Sequence, residues 1–73
     1  MSKYTVRVDV DGAVEQEVHG LSITGVANFV EDTASLALHQ LEEFLTDLMI
    51  ETEAAVATWE GSTKVVYYGH REY

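Results

Sequence analysis

Cysteine and proline are absent from this chain, and cations are scarce: four Lys and Arg stand against thirteen Asp and Glu. Without cysteine there is no disulfide, thiolate zinc site, iron–sulfur cluster or cysteine nucleophile, which fits a reducing compartment. No apolar run approaches the ~20 residues that cross a bilayer. Met1-Ser2-Lys3-Tyr4 leads straight into a strand pattern, without the layout of a signal peptide. A soluble, cytoplasmic protein with no membrane partner is expected.

The few cations are also unevenly placed. Lys3 and Arg7 lie near the start, Lys64 and Arg71 near the end, and nothing basic falls between Val8 and Thr63. The formal net charge of −9 repels nucleic acid and anionic membranes, and it attracts basic proteins and speeds their encounter. Direct nucleic-acid binding is therefore not expected. Repeats, linkers and low-complexity segments are lacking too, so residues 1–73 form one compact domain. A core this small relative to its surface implies modest stability or oligomerisation.

What is present reads as α+β. In "KYTVRVDVDGAVEQEV" Tyr4, Val6 and Val8 alternate with Thr5, Arg7 and Asp9, and Val14 and Val18 resume the alternation beyond a turn. A three-residue loop Val10-Asp11-Gly12 sets Val8 opposite Val14 and Tyr4 opposite Val18, with the large apolar residues on one face. The other face then turns Thr5, Arg7, Asp9, Glu15, Glu17 and His19 to water. Between residues 21 and 32, Leu21 and Ile23 suit a strand while Val26, Phe29 and Val30 have helical spacing, which reads as a short helical turn. Asp32 or Thr33 then caps a long helix, whose Ala37, Leu38, Leu41, Phe44, Leu45, Leu48 and Met49 share the arc toward the core. Beyond Glu53, β-branched and aromatic residues flank Gly61-Ser62, a dipeptide suited to a type II′ turn, giving a second hairpin over about 55–60 and 63–69. The expected order is ββαββ: a four-stranded antiparallel sheet with one main helix packed on one face.

"LEEFLTDLMIETE" carries five carboxylates and no cation. Glu43, Asp47 and Glu51 are spaced i, i+4, i+8 along one edge of the helix, and Glu42 and Glu53 border the other side of the core arc. Like charges at this spacing cost an isolated helix roughly 0.2–0.5 kcal/mol per pair, which alternation with Lys would have turned into a gain. Ile50 falls on the outward arc among these carboxylates, with Leu36 projecting nearby, the layout of an apolar anchor with a polar rim. The bland counterpart is a solvated acidic face with an isolated exposed aliphatic, or adaptation to high salt.

In the second hairpin Val65 and Tyr67 point one way, while Val66 and Tyr68 point the other with Ala55, Ala57 and Trp59. One helix covers one face, so Trp59, Val66 and Tyr68 either form an oligomer interface or pack under the C-terminal "GHREY". His39 and Glu43 stand one turn apart and His19 and His70 are candidates to meet across the sheet, but metal centres gather three or four ligands, so no metal is expected. No Ser, Thr or Cys sits in a nucleophile motif, the glycines occur singly rather than in a phosphate loop, and the chain is small for a pocket of about 300–1,000 Å³. Neither a catalytic residue nor a cofactor is expected.

In size, charge and lack of catalytic motifs the chain resembles the small acidic inhibitors encoded by bacteriophages, including DNA mimics. That resemblance implies steric occlusion, in a host cytoplasm, of a Lys/Arg-rich groove on a nuclease, a restriction or defence complex, or RNA polymerase. Glu42, Glu43, Asp47, Ile50, Glu51 and Glu53 would meet such a protein. Two other readings compete: a homodimeric assembly module using Trp59, Val66 and Tyr68, and a salt-adapted acidic domain whose charge specifies no partner.

Overall fold

The computed structural model describes residues 2–33, 38–61 and 63–72, at 59 and 60 for the backbone only. The order is β1 (Lys3–Val10), β2 (Ala13–Leu21), α1 (Ile23–Thr33), α2 (Leu38–Ile50), β3 (Glu53–Glu60) and β4 (Thr63–Glu72). The strands make one antiparallel sheet in the order β2-β1-β4-β3. The α+β class and the four-stranded sheet match expectation, but two helices lie between the hairpins.

The segment read as a short turn is an eleven-residue helix. Ser22 starts it: its Oγ accepts from Gly25 N–H at 3.1 Å, and its carbonyl accepts from Val26 N–H at 2.9 Å, the pattern of an N-cap. Gly25 and the β-branched Ile23, Thr24, Val26 and Val30 lower intrinsic helix propensity, and burial of Val26 and Val30 against the sheet offsets it. Asp32 and Thr33 consequently finish α1 rather than cap the next helix. Thr33 Oγ1–H donates back to the Phe29 carbonyl at 2.7 Å, and the Tyr67 hydroxyl, reaching up from β4, donates to the Thr33 carbonyl at 3.0 Å.

Register decides which side chains meet the helices. The first turn has two residues, not three: Val10 pairs with Ala13, and Asp11 (φ 50°) and Gly12 (φ 85°) both adopt the positive φ of a type I′ turn. Two irregularities follow in β2, so Val8 faces Gln16, Val6 faces Val18 and Tyr4 faces Leu21. An extra residue reverses the side on which later side chains emerge. Val14 therefore lands opposite Asp9 and is 57% exposed, contrary to its expected place beside Val8. Thr5 departs as well: it is 2% exposed instead of facing water.

The core lies between the helices and one sheet face, built from Tyr4, Val6, Val8, Val26, Val30, Leu41, Phe44, Leu48 and Tyr67. Gly69 lets α2 come close. A Cβ there would lie 3.0 Å from Phe44 Cζ and 3.2 Å from both Leu48 methyls. The helical arc is narrower than expected, since Leu38 (69% exposed) and Met49 (51%) lie outside it. Of "GHREY", residues 69–72 continue β4 alongside β1 rather than folding over the back of the sheet, and Tyr73 falls outside the described residues. Leu36, Ala37 and Ser62, and the side chain of Trp59, fall outside the described residues. Among the described residues, no helix is long and apolar enough to cross a membrane.

Candidate protein-interaction surface

The outward side of α2 holds most of the expected acidic site. Glu42, Glu43, Asp47 and Glu51 are exposed. Glu51 follows the last helical residue, yet its N–H donates to the Asp47 carbonyl at 2.8 Å, so the row Glu43–Asp47–Glu51 continues at about 6 Å per step along the axis. Ile50 is 73% exposed beside this row. Glu53 does not belong to it: as the first residue of β3 it sits opposite His70 in the sheet register.

Two apolar residues of this surface were missed. At about 100° per residue, Leu38 and Met49 emerge together on one flank of α2, next to half-buried Leu45. Their apolar character and helical spacing pointed to the core, and nothing in the sequence marked the outer limit of the buried arc. Along the same outer side, His39, Glu42, Glu43, Thr46 and Asp47 line a shallow hollow of about 500 Å³. Among the described residues, no three of His, Asp and Glu converge as metal ligands.

The sheet face away from the helices is a second surface. By strand alternation it takes Lys3, Thr5, Arg7 and Asp9 from β1, Lys64, Val66, Tyr68, His70 and Glu72 from β4, Glu53, Ala55 and Ala57 from β3, and Val14, Glu17 and His19 from β2. Three of the four Lys and Arg of the chain thus lie on one face. Arg7 is fixed at its centre. Its Nε–H donates to Asp9 Oδ1 at 2.9 Å and its Nη2–H to Oδ2 at 3.3 Å, while the guanidinium carbon lies 4.6 Å from the Tyr68 ring centroid, within cation–π range. Of the expected oligomer residues, Val66 is half-buried and Tyr68 is 38% exposed on this face.

At one end of that face a small network covers Thr5. Thr5 Oγ1 lies 3.0 Å from His19 Nδ1, and Gly20 N–H donates to Glu72 Oε2 at 2.7 Å. Gly20, at φ 71°, lies in the irregularity of β2 that sets Tyr4 opposite Leu21. The Glu72 carboxyl is held below the usual carboxylate range, first by that backbone N–H and then by the Thr5 hydroxyl, with slight desolvation opposing and the His19 and His70 charges assisting. One consistent wiring has His19 Nδ1–H donate to Thr5 Oγ1 and Thr5 O–H donate to Glu72. The arrangement ties the end of β4 to β2 across β1. No protein-family model, curated protein or solved structure matches the chain at a significant level.

Proposed function

We propose that this protein is a non-enzymatic, acidic binding module whose α2 face docks on a basic, nucleic-acid-binding surface of another protein and occludes it, in the manner of a DNA mimic. The observation that carries this reading is Ile50, 73% exposed beside the carboxylate row Glu43–Asp47–Glu51 on a helix that has no Lys or Arg. The carboxylates supply long-range attraction and orientation, and Ile50 supplies short-range contact of the kind that dominates interface energetics. With Lys3, Arg7 and Lys64 on the far side of the sheet, their charges oppose that attraction least.

The test is capture from a host lysate with the wild-type protein, identification of the bound protein, and titration of that purified partner. Charge reversal of Glu43, Asp47 and Glu51 to Lys removes binding while the circular dichroism stays native, and wild-type binding weakens steeply as salt shortens the reach of exposed charge. Affinity unchanged by the reversal rejects the helix face as the docking site. A phage-type inhibitor also competes with DNA for that partner. Partner activity left intact by saturating protein rejects inhibition.

A further inference from the structure

We infer that the uncovered sheet face binds a second copy of this chain, sheet against sheet, about a two-fold axis passing between the central strands β1 and β4. Two molecules of charge −9 repel each other, so self-association is least opposed where the charge is most nearly balanced. That place is this face: Lys3, Arg7 and Lys64 stand among Asp9, Glu17, Glu53 and Glu72. The surface of α2 offers no comparable balance, because this helix contains carboxylates and no Lys or Arg.

Charge also sorts the competing occupants. Nucleic acid finds four carboxylates against three cations here, and a basic protein is drawn to the more anionic α2 instead. A second copy brings the same mixture of signs, which a two-fold axis sets against itself. The middle of the face is preorganised, with Arg7 held by Asp9 and stacked on Tyr68. Arg and Tyr are enriched among residues that dominate interface energy. Ala55 and Ala57 on β3 present little bulk to the close approach of a second sheet.

The available area sets the strength. Four strands about 4.8 Å apart, each some eight residues at about 3.3 Å, give roughly 500 Å² per copy. A total near 1,000 Å² lies at the lower edge of specific interfaces, which fits a dimer of roughly micromolar to submillimolar affinity rather than an obligate one. Screening of the net charge tightens this dimer as salt rises. The proposed contact of α2 with a basic partner responds in the opposite sense, so either idea can fail without the other.

Sedimentation equilibrium over about 10 μM to about 1 mM, at low and moderate salt, tests the inference at concentrations suited to such an affinity. The expected result is a shift from 8.1 kDa to twice that mass, stronger at higher salt. Ala55→Glu and Ala57→Glu, each checked for native circular dichroism, weaken association about tenfold or more, while Ile50→Glu leaves it unchanged. In the wild-type chain the methyl resonances of Ala55, Ala57 and Val66 move with concentration, which tests the surface even where a variant fails to fold. A monomer throughout overturns the inference. So does a dimer that survives both Glu variants, one lost in Ile50→Glu, or one that protects the edge amides of β3 without moving these methyls.

Discussion

The two faces of the sheet are drawn from alternate residues of the same strands, yet they differ in almost every physical respect. Beneath the helices lie Tyr4, Val6, Val8 and Tyr67, closed off with Phe44, Leu48, Val26 and Val30. One residue along, the other face carries Lys3, Arg7, Lys64 and Tyr68 among carboxylates, and among the described residues no helix covers it. The period-two alternation of a strand thus separates not only apolar from polar but also three of the four cations from the acidic helix layer, Arg71 alone standing opposite the core residue Tyr4. The lesson is that net charge alone describes this molecule poorly. Within the total of −9, a nearly balanced sheet face contrasts with α2, where Glu42, Glu43 and Asp47 stand with no Lys or Arg among them.

If stability resides under the helices, the largest loss comes from there. Phe44→Ala empties a fully buried site and costs about 3–5 kcal/mol, a large part of the ~4–11 kcal/mol expected for a domain of this size; urea denaturation measures it. Gly69→Val probes the same contact from the sheet side. The added atoms press on Phe44 and Leu48 and destabilise by about 1–3 kcal/mol, whereas Ala57→Val, on the open face, changes stability by no more than ~0.5 kcal/mol. Ser22→Ala removes the α1 cap seen at Gly25 N–H and costs about 1 kcal/mol, visible as a lower denaturation midpoint.

The helix surface responds in the other direction. Asp47→Lys converts two like-charge neighbours into opposite-charge pairs with Glu43 and Glu51, raising stability by roughly 0.5–1 kcal/mol at low salt, and the gain shrinks as salt is added. A loss would show that Asp47 is already compensated within the fold. The smallest effect concerns Glu72. Its folded carboxyl titrates below its ordinary range, so the stability it contributes is complete above that range and is lost as pH falls through the lowered folded value. Glu72→Gln flattens that acid limb of the stability curve and leaves the neutral region nearly unchanged.

Most of the sheet was legible because alternation in Lys3–Val10 and around Tyr67 and Tyr68 is undisturbed, and because Gly12 and Gly61 mark the turns with positive φ. What alternation cannot reveal is an inserted residue. The irregularities in β2 moved Val14 to the open face and brought His19 and Glu72 over Thr5, and neither leaves a trace in hydrophobic pattern. The helix α1 was under-read because its glycine and β-branched residues argue locally against what its packing stabilises. On α2 the carboxylate row and outward Ile50 followed directly from 3.6-residue periodicity. Glu53 did not, since the helix ends at Ile50 and a new strand begins three residues later. The gathering of Lys3, Arg7 and Lys64 on one face needed the pairing of β1 with β4, a contact between the two ends of the chain.

The carboxylate row along α2 is the surface proposed to draw a basic partner. A titration of the isotope-labelled protein with a short Lys/Arg-rich peptide at low salt, followed by amide chemical shifts, tests it most directly. Resonances of Glu43, Asp47, Ile50 and Glu51 are expected to move first and furthest and to return as salt is added. Shifts spread evenly over the molecule, or centred on the sheet face around Arg7 and Tyr68, would contradict it.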